Sequence, residues 1–283
     1  MLALAPRYRA VLPPPLPLER LVAGRSRAEV AALLPRVFNL CGGAQELAAR
    51  MAMRLPVPDG LVAQAAQQVR RDHLFTLLLR LPPLLGLPTA PLPEPQDVQA
   101  ALFGPGGLAA AESDPSGFLA GGAGIAPLLA HLRRAVPQGA LCAPRTPYPD
   151  AATVLSPQAS ENSPAGRRHD HVLLQAIEAD EGRGPVWRMA GRAVDAVLPP
   201  PPPISGPGWA VVAAARGAYG LRVRLAGDTV MALHRHAPTD HLLAPGGAMQ
   251  QALETLPSLA LAPLLLCVLD PCVAVEIDEV NHA

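Results

Sequence analysis

The stretch Leu269-Asp270-Pro271-Cys272-Val273-Ala274-Val275 closes the last apolar segment of the chain. The very apolar residues 259–269 lead into it and predict a buried helix. Pro271 has no backbone N–H and restricts the preceding Asp270 to extended or turn geometry, so the helix must end there. Cys272 is then expected in a turn just past a packed helix, where its thiol is accessible to a ligand. The alternative is a buried cysteine that behaves as a small hydrophobic residue.

Three further blocks precede this stretch in a fixed order. They are Leu40-Cys41-Gly42-Gly43-Ala44, Ala215-Arg216-Gly217 and Pro238-Thr239-Asp240-His241-Leu242. Their order resembles the large subunit of nickel-iron hydrogenases, which has a Cys-Gly-x-Cys block, an Arg-Gly strand start, a Pro-Thr-x-Trp-Asn turn and a terminal Asp-Pro-Cys-x-x-Cys-x-x-His. The short length and the missing ligands make the chain more similar to the HupK family of hydrogenase expression/formation proteins, non-catalytic relatives of that subunit. The resemblance implies a reduced large-subunit-like fold.

The composition predicts a mainly helical, neutral protein. Half of the 283 residues are hydrophobic but only 3% are aromatic, so the core must consist of Leu, Ala and Val, which favours helices. The 35 prolines predict short helices broken by loops. The net charge is zero and all 23 basic residues are Arg. Because this balance lacks the basic footprint of a nucleic-acid binder, we expect no nucleic-acid partner.

The pattern along the chain predicts an α+β fold, mainly α with a small β-hairpin or sheet segment, in a single domain over residues 1–283. We divide it into an extended Pro-rich arm (1–18), a helical part (19–198), a Pro/Gly spacer (199–208), and a β segment with closing helices and tail (209–283). Ser26-Arg27-Ala28-Glu29 is a capping-box pattern, residues 61–81 predict a long amphipathic helix, and Ala226-Gly227-Asp228 predicts a hairpin turn. Residues 273–280 alternate enough to pair as a strand.

Two further features have ordinary structural interpretations. His73 lies beside an apolar run, so we expect a satisfied core histidine rather than a ligand, and we expect Arg70 and Arg71 on a solvated face. Residues 137–166 form a long polar loop, and loops of this length are usually functional or disordered.

The cysteines indicate a reducing compartment. Cys41, Cys142, Cys267 and Cys272 are widely spread in a chain too large to need disulfide staples, so we expect a cytoplasmic protein. We assign no role to Cys142 or Cys267. The N-terminus has no evident signal peptide, and the sequence has no apolar run of roughly eighteen residues, so we expect no membrane span.

The resemblance to the hydrogenases implies an incomplete metal site. A nickel-iron centre takes four thiolates from two Cys-x-x-Cys pairs, because soft thiolates suit both metals. The first cysteine of each pair is present as Cys41 and Cys272, whereas the second falls at Ala44 and Val275. The closing His falls at Asp278. We therefore expect no stable nickel-iron centre and no catalysis.

The Arg-Gly block adds a cation to this site. Arg216 matches the arginine that lies over the diatomic ligands of iron in the hydrogenases, and a guanidinium suits an anionic iron–cyanide group. The resemblance thus implies that Cys41 and Cys272 bind the metal, and Arg216 the ligands, of a transient iron (Fe-CN/CO) fragment. The alternative for Arg216 is ordinary hydrogen bonding at a strand start. Leu221 stands where the family block has His, which indicates that catalytic constraints are gone.

Three functional hypotheses follow from the resemblance. The first is a hydrogenase maturation factor, a scaffold or chaperone for the iron centre of the large subunit, whose partners are other maturation proteins or the large subunit. It predicts that the Cys41 and Cys272 sulfurs lie close together. The second is a metal-free structural mimic of the large subunit that binds other maturation proteins. A third and weaker alternative is a degenerate redox enzyme.

Overall fold

The computed structural model describes residues 7–280 and has the predicted α+β class. The helices are α1 Leu18–Val22, α2 Arg27–Val37, α3 Gly42–Ala52, α4 Leu61–Phe75, α5 Leu81–Leu84, α6 Val98–Phe103, α7 Gly107–Ser113, α8 Pro115–Ala120, α9 Ala126–Ala135, α10 Ala151–Val154, α11 Pro164–Arg167, α12 Val172–Glu181, α13 Pro185–Val197, α14 Pro238–Leu243, α15 Ala248–Glu254 and α16 Ala262–Leu269. The strands are β1 Tyr8–Val11, β2 Ile204–Gly206, β3 Trp209–Ala214, β4 Gly217–Ala226, β5 Thr229–His236 and β6 Glu276–Glu279.

Local sequence signals set the starts and lengths of several helices. The capping box at α2 is confirmed: the Ser26 Oγ accepts from the Glu29 backbone N–H (3.3 Å) and the Glu29 carboxylate accepts from the Ser26 N–H (2.9 Å). The long helix predicted over residues 61–81 is also confirmed. It runs from α4 through a π-helical segment, Thr76–Arg80, directly into α5.

The strands form two antiparallel sheets. Four strands pair in the order β2-β3-β4-β5, with the predicted hairpin turn between β4 and β5. The second sheet pairs β1 with β6, so the tail strand is confirmed and both ends of the described chain meet. In each sheet side chains alternate between faces, which leaves one face of the four-stranded sheet against the core.

Two predicted segments differ from the structure. Part of the spacer (199–208) is a strand, because Ile204–Gly206 pairs with β3 across a turn at Gly208, whose φ of 76° suits glycine. Only the proline run before it lacks regular structure. In the N-terminal arm (1–18), residues 1–6 lie outside the described residues. Tyr8–Val11 is extended, as predicted, but it is a sheet strand whose backbone groups pair with the tail.

The described residues form two large hydrophobic cores and one small cluster of Val154, Leu155 and Val211. The larger is helical and packs around α13, with Trp187 fully buried. The smaller lies between α2, α3 and one face of the four-stranded sheet. Cys41 and Cys272 pack against this smaller core. The expectation of one domain over residues 1–283 stays a prediction.

Helix α13 is buried along nearly its whole length although it carries charges. Arg188, Arg192 and Asp195 are each at most 4% exposed. Their spacings of four and three residues place them on one face of the helix. Such burial is tolerated only where each charge is paired, so this face organises the polar interior of the protein.

Within residues 7–280, the helices are all too short or too polar to cross a lipid bilayer.

Candidate functional site

The site is built where α16 ends. Asp270 caps the helix in the left-handed conformation (φ 48°, ψ 59°), and Pro271 then prevents the helix from continuing. Asp is among the few residues that tolerate this conformation, although it still costs about 1–3 kcal/mol. Asp270 is only 3% exposed, so the strain and the buried charge must both be compensated.

Three arginines compensate the Asp270 carboxylate. Arg80 Nη1 donates to Oδ1 (2.8 Å) and Arg192 Nη2 donates to Oδ2 (2.8 Å). Arg216 donates through Nε to the Asp270 carbonyl (3.0 Å) and through Nη2 to Oδ1 (3.3 Å). Both carboxylate oxygens of Asp270 and its backbone carbonyl oxygen are thus bound by arginines from three separate parts of the chain.

The arginines also determine the protonation of Asp270. Burial alone would raise the pKa of this carboxyl group, but the charges of Arg192 and Arg216 and the hydrogen bond from Arg80 outweigh burial and lower the pKa to about 2. Asp72 adds a second carboxylate, 3.6 Å from Arg192 and 4.0 Å from Arg216. Three cations against two anions leave this group, the Asp270 cluster, with one net positive charge.

Cys272 is held by the motif that the sequence placed upstream. Its backbone N–H donates to the Thr239 Oγ1 (2.8 Å), and Thr239 belongs to α14. The Asp240 carboxylate accepts from the Ala237 N–H (2.7 Å) and caps the same helix. The Pro-Thr block therefore orients the Cys272 turn, and the Cys272 side chain is half-buried.

Cys41 is placed by a close helix contact. It ends a short 3₁₀ turn, Asn39–Cys41, directly before α3. A Cβ on Gly43 would lie 3.2 Å from the Ala65 Cα of α4, so glycine allows α3 and α4 to approach there. One turn further on, the Gln45 amide Nε2 lies 3.4 Å from the Cys41 sulfur and donates to it.

The structure brings Cys41, Cys272 and Arg216 into one electrostatic neighbourhood. Burial raises the pKa of the Cys41 thiol, the Gln45 hydrogen bond lowers it, a thiolate at Cys272 raises it and the Arg216 charge lowers it. Cys272 therefore affects the pKa of Cys41 although the two residues are 231 positions apart in the sequence. No group of three or more His, Cys, Asp or Glu side chains within residues 7–280 is arranged to hold a metal ion.

Arg216 has the partners of a strand-start arginine. Its guanidinium is bound to Asp270 rather than facing an open pocket. The Asn162 side chain fixes the residues that follow Arg216, because it accepts from the Ala218 N–H (2.6 Å) and donates to the Ala218 carbonyl (2.8 Å). Gly217 has a φ of 145°, and a Cβ there would clash with the Asn162 backbone oxygen at 2.3 Å.

A small cavity adjoins this arginine. It has a volume of about 20 Å³, room for about one water molecule, and is lined by Arg216, Asp270, Thr239 and the buried Ser160 and Glu161. The prediction of a loop over 137–166 is wrong in part, because this segment contains α10 and the start of α11. Glu161 accepts from both terminal nitrogens of Arg188 (2.8 and 2.7 Å). The loop thereby supplies part of the wall behind the site.

A second buried cluster lies further along α13. His73 Nε2 lies 2.8 Å from Asp195 Oδ2, and the same carboxylate is bound by Arg167 (3.1 Å) and Arg168 (2.7 Å). Burial lowers the pKa of His73, so the imidazole is neutral and donates to Asp195. The prediction of a core histidine is confirmed, but it is satisfied only at Nε2, because Nδ1 has no hydrogen-bond partner among residues 7–280. We call this group, His73, Arg167, Arg168 and Asp195, the Asp195 cluster.

Sequence reasoning missed several residues of the site. Arg80, Arg192 and Asn162 were not singled out, although charges at helical spacing inside the apolar α13 were a usable signal for Arg192. Tyr219 was also missed. Its hydroxyl is fully buried without a hydrogen-bond partner among residues 7–280, and burial raises its pKa, with further contributions from the charges of Arg235, Cys41 and Cys272. It thus lies in the same neighbourhood as the two thiols.

The fold and the site define an α+β protein with a two-thiol, arginine-lined site that, within residues 7–280, has fewer ligands than a nickel-iron centre takes. Comparison with curated proteins gives the particular family. The chain is 46% identical over 280 residues to the hydrogenase expression/formation protein HupK of Rhodobacter capsulatus. The alignment covers 96% of this chain and 92% of the relative. The chain therefore belongs to the HupK family, as its motifs predict. No family model matches it.

Proposed function

We propose that this chain is a maturation factor for nickel-iron hydrogenases, a scaffold or chaperone for assembly of the iron (Fe-CN/CO) centre of the large subunit. On this proposal it works in the cytoplasm, has a reduced large-subunit-like fold, is not itself catalytic, and has other maturation proteins or the large subunit as partners. The supporting observation is that Cys41, Cys272 and Arg216, which the sequence keeps far apart, act on one another electrostatically.

The thiols suit a cargo that must be released. Burial raises the pKa of Cys41, so this thiol is protonated before a metal binds, and an incoming metal must displace the proton. The Gln45 N–H already points at the sulfur and would stabilise the resulting thiolate. Two protein thiolates give an iron fragment fewer bonds than a resident centre has, so transfer to an acceptor with more thiolates is favourable.

The surrounding charge selects the cargo. The Asp270 cluster carries one net positive charge, and Arg216 joins it to the thiols. An anionic iron–cyanide fragment is attracted by this field, whereas a bare divalent cation gains less from it.

A specific observation favours a second candidate, the metal-free mimic. Arg216 is already bound to Asp270, and the cavity beside it has room for only about one water molecule. On this reading the thiols are remnants of an ancestral site, and the arginine–carboxylate cluster only maintains a shape that maturation proteins recognise.

Infrared spectroscopy of the anaerobically purified protein separates the two. We expect cyanide and carbonyl bands in protein from cells that are maturing hydrogenase. The Cys272→Ala and Cys41→Ala variants should lose these bands. Cys142→Ala is the matched control, because Cys142 is also half-buried but lies in a different cavity.

A maturation assay completes the test. Wild-type protein without bands, together with normal hydrogenase maturation by the Cys41→Ala/Cys272→Ala double variant, would contradict the iron-carrying role and support the mimic.

A further inference from the structure

The outer face of the four-stranded sheet, which points away from the thiols, carries an open basic groove. Leu221 and Val223 of β4 face the core beside the thiols. Strand alternation therefore directs Arg222 and Arg224 to the outer face, where both are exposed. Two depressions of about 770 and 680 Å³ meet at Arg222 and together form the groove across β4 and β5. Helix α10 forms one of its walls, and the start of α1 closes one end.

One cross-strand row forms the centre of the groove. Trp209 of β3 is opposite Arg222 of β4, and Arg222 is opposite His234 of β5, so the three side chains are neighbours. The Trp209 ring packs over Gly206 of β2, where any Cβ would clash with it. The other tryptophan of the chain, Trp187, is fully buried in the helical core. Because tryptophan and arginine are enriched at positions that carry binding energy, this half-buried pair is typical of a binding surface.

The groove has more cations than anions. Four arginines line it together with two carboxylates, and these residues are Arg20, Arg222, Arg224 and Arg235, and Glu19 and Asp240. Among residues 7–280, none of the four arginines forms a salt bridge with a carboxylate. Asp240 caps α14, and Glu19 lies 3.6 Å from His234. The whole chain has no net charge, so this excess is a local feature that a partner of negative charge would complement.

The spacing of the arginines indicates the form of the partner. Arg222 and Arg224 are two residues apart on one strand, which separates them by about 7 Å. Alternate side chains of an extended peptide have the same separation, so acidic residues at every second position can pair with both arginines. A phosphodiester chain fits less well, because Glu19 and Asp240 place negative charge at one end of the groove. We propose that this groove docks an extended acidic segment of a partner protein.

The identity of the partner rests on the proposed function, because the partner would be a protein of hydrogenase maturation. The docking itself does not depend on iron binding, since the groove and the thiols lie on opposite faces of the sheet. A partner in the groove would therefore leave the thiols free to receive or release a cargo.

The fluorescence of Trp209 reports whether the groove is occupied, because Trp187 is buried and out of reach of a ligand. The probe is a peptide of repeating Glu-Ser dipeptides, about ten residues long and so longer than the row of three strands is wide. Its neutral counterpart is a peptide of repeating Gln-Ser dipeptides. At physiological ionic strength the Glu-Ser peptide should change the tryptophan emission saturably, and the Gln-Ser peptide should not.

Three double variants locate the binding. Arg222→Gln/Arg224→Gln should raise the dissociation constant for the Glu-Ser peptide on the order of tenfold, because two ion pairs are lost. Arg71→Gln/Arg134→Gln removes two exposed arginines from other surfaces and is the matched control, which should bind like wild type. Cys41→Ala/Cys272→Ala should also bind like wild type, so that failure of iron binding and failure of docking are distinguishable.

Several outcomes would overturn the proposal. They are no saturable change in wild type, equal binding of the Gln-Ser peptide, or equal weakening by the two arginine double variants. Tighter binding of a single-stranded oligonucleotide than of the Glu-Ser peptide would make a nucleic acid the occupant. A wild-type dimer that Arg222→Gln/Arg224→Gln converts to a monomer in sedimentation would make a second copy of this chain the occupant.

Discussion

The Asp270 and Asp195 clusters use the same chemistry in different surroundings. In each, a buried carboxylate is bound by arginines, and α13 supplies one member, Arg192 to the first and Asp195 to the second. The Asp195 cluster is enclosed, with no side chain in it more than 15% exposed. The Asp270 cluster opens outward, since Arg80 is 38% and Asp72 is 25% exposed, and it adjoins two half-buried thiols.

This difference indicates that the Asp195 cluster has a structural role only, whereas the Asp270 cluster has both a structural and a functional role. A fully enclosed ion cluster can affect only stability and the uniqueness of the packing. A cluster that reaches thiols and solvent also affects their charge and whatever they bind. Changes in the Asp195 cluster should therefore affect folding alone, and changes in the Asp270 cluster should also affect the chemistry of the thiols.

The largest expected effect tests the enclosed cluster. Asp195→Ala leaves Arg167 and Arg168 buried without a counter-ion, so the free energy of unfolding should fall by about 3–5 kcal/mol, measured by urea denaturation. Asp228→Ala, which removes the exposed partner of Arg27, is the control and should cost less than about 1 kcal/mol. Similar losses in the two variants would mean that the burial of Asp195 carries no special energy.

The next effect is the pH dependence that comes from Asp270. Its pKa falls from 3.8 in the unfolded chain to about 2 in the folded protein. The unfolded chain therefore binds the proton first, and stability is lost as the pH falls from about 4 to about 2. The shift corresponds to about 2 kcal/mol.

Urea denaturation at several pH values in this window measures the loss. Asp270→Asn should lose about 2 kcal/mol less than wild type across it, because its amide does not titrate. Identical pH profiles would show that the arginines do not hold the charge of Asp270.

The sequence predicted the helices and strands better than it predicted the polar contacts between side chains. The capping box at Ser26, the hairpin after Ala226 and the end of α16 at Pro271 all follow from local rules, and each is present. The strand β2 was missed because its formation depends on pairing with β3, and no local pattern encodes such a partner.

The site was predictable only in part. The motif order located Cys41, Cys272 and Arg216, but gave no sign that Arg216 binds the Asp270 carbonyl. That contact arises because α16 ends in a left-handed turn beside the start of β4, and the relation between two distant elements is set by tertiary packing. For the same reason Arg80 and Asn162 had no sequence signal.

The smallest effect separates the two clusters by thiol chemistry. The Arg216 charge lowers the pKa of Cys41, so Arg216→Met should raise that pKa and slow alkylation of Cys41 by iodoacetamide near neutral pH, on the order of threefold. The rate at Cys142 in the same molecule serves as an internal reference. Arg168→Met removes a charge of the same kind from the Asp195 cluster and should leave the alkylation rate of Cys41 unchanged.

If Arg168→Met slows the alkylation of Cys41 as much as Arg216→Met does, then general loosening of the fold, rather than a local charge, controls the reactivity of the thiol. The two clusters would then not differ in function.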